Sequence, residues 1–178
     1  MKMRLLLAVL ALAGMTAGCV LVSGQITVDF DLADAHVVGP ATLVSQTVDL
    51  NTIGDYNDHK SDLQGLADVA LLGTITNHGS SPVDVEVWMT TAQTSYLLES
   101  DVKANGVRLW GPFHLAAGET RRTDWDGSAA LFDAAGKTAL IGEIKGDGVF
   151  TLYAVGKQPT YDFSIQDGHG VLVLDTKF

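Results

Sequence analysis

From Gln25 onward the chain alternates. Ile26, Val28, Phe30 and Leu32 are separated by Thr27, Asp29 and Asp31, the period-two pattern of a strand with one buried face. Val44, Val48 and Leu50 predict a second strand after the break at Gly39-Pro40. The stretch from Asn51 to Gln64 is polar and turn-rich, and reads as a long loop with one helical turn. Asp68 to Thr76 is β-branched and apolar on both faces, as a central strand is. A turn cluster, Asn77-His78-Gly79-Ser80-Ser81-Pro82, precedes Val83, Val85, Val87 and Met89, which alternate with Asp84, Glu86 and Trp88; together they predict a hairpin.

Leu97-Leu98, Val107 to Leu109 and Trp110 to Leu115 predict two or three short strands before a turn at Ala116 to Thr120. The pattern then changes. Ser128 to Ala135 is alanine-rich and Leu140, Ile141 and Ile144 follow at helical spacing, which predicts two short helices parted at Gly136 and ended by Gly146-Asp147-Gly148. Three closing strands are expected at Val149 to Val155, Tyr161 to Gln166 and Val171 to Thr176, with Gly168-His169-Gly170 turning between the last two. About eight short strands with a helical insertion near residues 128–146 define a mainly β chain, an antiparallel β-sandwich over residues 25–178. The stretch Gly73 to Ser80, the alternating valines after it and Leu115 to Thr120 resemble immunoglobulin-like envelope modules and the sandwich of late-embryogenesis-abundant type domains. That resemblance implies a fold and no activity.

Residues before Gln25 follow different rules. Lys2 and Arg4 precede the uncharged run Leu5 to Ala13, and Gly14, Thr16, Ala17 and Gly18 supply small residues after it, the layout of an export signal. Met15-Thr16-Ala17-Gly18-Cys19 resembles the lipobox of bacterial lipoproteins; Ala17, Gly18 and Cys19 match it, and Thr16 stands where leucine is commonest. The resemblance implies removal of residues 1–18, diacylglycerol on the Cys19 thiol, acylation of the new amine and anchorage to a membrane. Val20 is not the aspartate that retains such proteins at an inner membrane, which implies the outer membrane where the cell has one. Cys19 is the single cysteine, so an internal disulfide is impossible. The tether Val20 to Gly24 reaches at most about 17 Å, which would hold the domain close to the bilayer. Two other readings stay open: Leu5 to Val22 carries no charge and is about long enough to span a bilayer uncleaved, and an ordinary signal peptidase cutting near Ala17 would leave a free thiol.

Charge narrows the partners. The chain carries 11 basic and 21 acidic residues, and loss of residues 1–18 would leave 9 and 21, a formal charge of −12. Such a surface repels phosphate backbones, so nucleic acid is excluded as a partner and the membrane link falls to the lipid. Asp55 to Asp62 offers several oxygen ligands but lacks the glycine and glutamate of an EF-hand loop; it is read as an acidic turn, not a metal site. Asp126 is read as the N-cap of the helix that follows it. His36, His59, His78, His114 and His169 are scattered, with no zinc-pair spacing on one element. No serine sits in a nucleophile elbow, and the acids Asp29 and Asp31 share the outward face of a strand.

No enzyme and no cofactor is expected. Trp88 falls on the polar parity of its strand, so either the helical insertion covers it or it is an exposed aromatic at a binding surface; burial is the preferred reading. The leading expectation is a lipid-anchored envelope protein whose sandwich is an interaction or assembly module for a protein partner. The second is a small-ligand or glycan binder using Trp88, Trp110 or Trp125 as platforms. A hydrolase assembled from distant residues is third.

Overall fold

The computed structural model describes residues 23–40, 43–91 and 95–177. The lipobox and Cys19 lie outside them. Among the described residues nine strands form two antiparallel sheets. The first contains β1 (Ser23–Leu32), β2 (Ala35–Gly39), β4 (Leu63–Asn77), β7 (Thr120–Thr123) and β9 (Tyr161–Lys177), in the order β1-β9-β4-β7, with β2 continuing along β9 where β1 ends. The second contains β3 (Val44–Asp49), β5 (Val83–Thr90), β6 (Val107–Leu115) and β8 (Val149–Gly156), in the order β3-β8-β5-β6. Their inner faces meet as a β-sandwich: Val28, Val69, Phe163, Leu172 and Leu174 from the first sheet face Val85, Met89, Leu115, Phe150 and Leu152 from the second, all buried.

The expected alternation of β1 is present from Ile26 to Leu32, but pairing begins earlier, at Ser23 opposite Lys177. The number of strands agrees with the reading, but β2 and β7 are short edge pieces whose patterns are too brief to read, while the two strands expected at the C-terminus are one. Val107–Leu115 is one strand, and Leu97-Leu98 is none: Leu97 is 87% and Leu98 60% exposed, ahead of helix α2 (Glu99–Asn105). The polar loop after β3 holds more helix than expected, a 3-10 turn at Leu50–Thr52, α1 (Gly54–His59) and a second 3-10 turn at Lys60–Asp62.

Two connections differ from the expected ones. The chain from Asn77 to Val83 is not a hairpin: β4 and β5 lie in opposite sheets, so it arches over the core. Asn77 shapes that arch, its Nδ2 donating to the Ser81 and Ala116 carbonyls at 2.8 and 2.9 Å and its Oδ1 accepting from the Gly79 amide at 2.9 Å. Hairpin and arch place the same apolar positions on the same core, so alternation cannot separate them. The second difference is β9, one strand of 17 residues where two strands and a turn were expected. Gly168 and Gly170 are there for close packing. A Cβ at Gly170 would stand 2.1 Å from the Phe30 ring, and one at Gly168 2.8 Å from Leu32 Cβ. The local irregularity is a register shift opposite β4 near Gly73, with Asp167 at φ 51°.

The helical insertion consists of α3 (Trp125–Ala129) and α4 (Ala134–Lys145). The break between them falls at residues 130–133 and not at Gly136, and the N-cap is Asp124, whose carboxylate accepts from the Gly127 amide, not Asp126. Gly136 sits inside α4 against the β6 backbone; a Cβ there would lie 2.5 Å from the Arg108 carbonyl oxygen. The linking residues occupy the free edge of β6 through Gly111 N–H to Leu131 O at 3.0 Å and Asp133 N–H to Leu109 O at 3.1 Å, so that edge is not open for pairing. Leu140 and Ile144 enter the core beside Tyr56.

Candidate functional site

Outward positions of a sheet are ordinarily wet, yet on the second sheet Thr151, Tyr153 and Val155 of β8 and Glu86 and Thr90 of β5 are all buried. The cover comes from helix α2, in the connection between the paired strands β5 and β6, not from the helical insertion. Val102 of α2 is fully buried, and the Tyr153 hydroxyl accepts from the Tyr96 amide at 3.0 Å. Trp88 emerges at the margin of this cover. It is half-buried, with Tyr153 and Arg108 as its cross-strand neighbours.

A chain of polar contacts fixes the indole. Trp88 Nε1 donates to Glu86 Oε2 at 3.0 Å, and Arg108 Nη1 donates to Glu86 Oε1 at 3.0 Å. Arg108 also grips Asp133 with Nε and Nη2, the latter at 3.2 Å. From the other side Lys103 places its ammonium 6.0 Å from the Trp88 ring centre while it pairs with Glu99, which accepts from the Tyr161 hydroxyl at 2.8 Å. The hydrogen bond to Asp133, followed by that to Glu86, holds the Arg108 guanidinium charged more firmly than usual. Burial, and then the hydrogen bond to Glu99, pushes the ionisation of Tyr161 up, so it stays a neutral donor.

Trp88, Val107, Arg108, Asp133, Ala134 and Ala135 line an open cleft of about 430 Å³. The apolar pockets beside Val87 are smaller, about 60 and 30 Å³. The cleft can present an aromatic face for stacking and the unspent N–H bonds of a rigidly held guanidinium, which has five in all. The carboxylate that lines it, Asp133, is engaged by Arg108 through both oxygens.

The three tryptophans named from the sequence do not share a surface. Trp110 is 1% exposed and part of the core, its Nε1 donating to Ser128 O and Oγ at 3.1 Å, so it offers no platform. Trp125 is half-buried on α3 and donates to Asp68 Oδ2 at 2.8 Å, on the side of β4. Only Trp88 stands over a cleft. Nothing in the sequence spacing of its partners Glu86, Lys103, Arg108 and Asp133 links them as a group. Asp55 to Asp62 folds into α1 and the turn after it, with His59 Nδ1 2.9 Å from Asp55 O. Among the described residues no three His, Cys, Asp or Glu side chains surround a point where a metal could sit. His114 pairs with Asp84 at 2.8 Å and His169 with Asp31 at 3.0 Å, both on outer faces.

No family model matches the chain, and no curated protein does. Among solved structures it is similar to one titled Desmodium yellow mottle tymovirus, at 12% identity over 88% of both chains and a TM-score of 0.31, a likeness too slight to bear on function.

Proposed function

We propose that this chain is a cell-envelope lipoprotein, held to a membrane by acyl chains on Cys19, whose β-sandwich acts as a non-enzymatic interaction module. The observation that carries the reading is the lipobox-like Met15 to Cys19, placed after an export signal and just ahead of a strand that begins at Ser23. Four residue steps from Cys19 to Ser23 reach at most about 14 Å, so the pole holding Ser23, Leu63 and Lys177 would face the bilayer closely. Among the described residues no helix is long and apolar enough to cross a membrane. Where the cell has an outer membrane, that is the proposed site, since Val20 is not a retention aspartate. An envelope protein is the proposed partner. Cross-linking in intact cells followed by purification from membranes tests this: a defined protein partner supports the module, and recovery of a glycan or lipid without protein contradicts it.

The Trp88 cleft supports a second reading, a binder of small ligands or glycans. Stacking on the indole would quench or shift its emission, and Trp88→Phe would abolish the response while Trp125→Phe would not. A saturable response that survives Trp88→Phe would place the ligand elsewhere.

A further inference from the structure

The two flanks of the sandwich are finished differently. On the β6–β7 flank the linking residues fill the β6 edge, and the Arg121 guanidinium carbon lies 3.9 Å from the centre of the Phe113 ring, joining one sheet to the other. On the β1–β3 flank a single side chain bridges the sheets. Gln46 of β3 accepts from the Ala33 amide at 2.7 Å and donates to Asp31 O at 2.8 Å, so its amide occupies the free edge of the first sheet as a backbone peptide would. By the alternation of an antiparallel edge strand, the N–H and C=O of Asp29 face the same way. On either side of Gln46 the flank is hollow. Leu32, Ala35, Val44, Leu152, Ala154 and Ile165 line an apolar pocket of about 60 Å³, and Asp29, Asp31 and Asp49 line an open cleft of about 340 Å³. Among the described residues no lysine or arginine pairs with any of these three carboxylates; His169 stands 3.0 Å from Asp31.

We propose that this flank is the docking groove for the envelope partner and that it takes an extended basic segment of that protein. An apolar side chain enters the pocket, lysines or arginines enter the acidic cleft, and the main chain pairs at Asp29. The proposal rests on reading the sandwich as an interaction module. Charge selects the occupant, since three carboxylates without a basic side chain of their own favour a cation. A second copy of this chain does not fit: pairing β1 with β1 through Asp29 would set Asp29 and Asp31 of one copy beside those of the other. Nor does the exposed Leu97-Leu98 of a second copy suit the pocket, because Glu99 and Asp101 follow it and would meet the same carboxylates. Spacing selects the segment. Leu32 and Asp29 are three residues apart on β1, about 10 Å along a strand, so the apolar and basic residues of the ligand stand about three positions apart. Strand addition of this kind draws affinity from main-chain bonds and selectivity from side-chain pockets.

Fluorescence anisotropy of labelled peptides at physiological ionic strength tests the groove, with the protein extracted in a neutral detergent. Two probes, Lys-Thr-Lys-Thr-Thr-Leu-Thr and its reverse, cover both strand directions. Saturable one-to-one binding of one of them is expected, and glutamate in place of its lysines should end it. Asp29→Asn with Asp31→Asn should weaken binding about 10-fold. Ala35→Leu, which fills the pocket, should weaken it to the level of a probe with serine in place of leucine. Asp101→Asn with Asp126→Asn removes as much charge from elsewhere and should leave binding unchanged. All four aspartates are exposed, so these variants should melt as the parent does. No saturable binding by either probe overturns the groove, and equal losses in the two aspartate pairs reduce it to diffuse attraction to an acidic surface. Cross-linking in intact cells separates the groove from the module itself. A partner still captured by the chain carrying Asp29→Asn, Asp31→Asn and Ala35→Leu keeps the module and overturns this surface.

Discussion

Glu86 is a carboxylate almost wholly removed from water, at 4% exposure, and its charge is tolerable only because Arg108 and the Trp88 indole both donate to it. Such a group depends on its partners more than it contributes. Arg108→Ala should therefore cost about 3 kcal/mol in urea unfolding, through the uncompensated carboxylate it leaves. The double variant Glu86→Leu with Arg108→Met should recover most of that loss; a double variant no better than Arg108→Ala would show that the guanidinium matters through packing instead. Tyr56 poses a related case with opposite chemistry. Its hydroxyl donates to Ile144 O at 2.7 Å, and burial, with the Asp147 and Asp49 carboxylates nearby, pushes its ionisation above the ordinary 10.0. The unfolded chain therefore loses this proton first, so the stabilisation is whole below pH 10.0 and declines as pH rises beyond it. Tyr56→Phe should cost about 1 kcal/mol at neutral pH and shrink the alkaline decline. An unchanged decline, read from urea midpoints across that range, would contradict this.

The elements divide into those that alternation dictates and those that depend on a neighbour. β1 and β5 were legible because apolar residues keep one parity and, Trp88 apart, polar ones the other, and β8 because it is a continuous apolar run rich in β-branched and aromatic residues. β9 was not, since its glycines at 168 and 170 mimic a turn and reveal their purpose only beside Leu32 and Phe30. The sheet that each strand joins was equally hidden: Asn77 decides the arch through contacts to Ser81 and Ala116. Of the candidate site, Trp88 was legible from its parity. Its setting was not, because the cover comes from α2, a seven-residue helix with no side-chain N-cap bond to announce it. Helix α4 carries a matched pair of glycines that separates packing from propensity. Gly136→Ala forces a methyl against Arg108 O and Leu109 Cα and should cost about 2 kcal/mol. Gly142, with nothing within 4 Å of a Cβ, should gain about 1 kcal/mol on the same change. Equal effects at both positions, measured by thermal melts, would mean that α4 does not pack on β6 as described.

At the scale of the whole molecule the sandwich has two unlike ends. β9 links them, spanning about 50 Å if fully extended: Lys177 lies beside Ser23 at one end, and Tyr161, the Asn77 to Val83 arch and the adjoining rings of His36 and His78 lie toward the other. Acyl chains on Cys19 would hold the first end at a bilayer and leave the second to face away, while the formal charge of −12 that loss of residues 1–18 would leave would keep the surface from binding anionic headgroups by itself. The Trp88 cleft lies between the two ends, on the flank, where a partner bound alongside the anchored domain could reach it. All of this hangs on the anchor, so the intact mass of the protein extracted from its native membranes is the most direct test. The expected result is a chain that begins at Cys19 and carries added acyl mass, with Cys19→Ala losing both the modification and membrane retention. A mature chain of unmodified mass, or a Cys19→Ala variant that stays on the membrane, would contradict it.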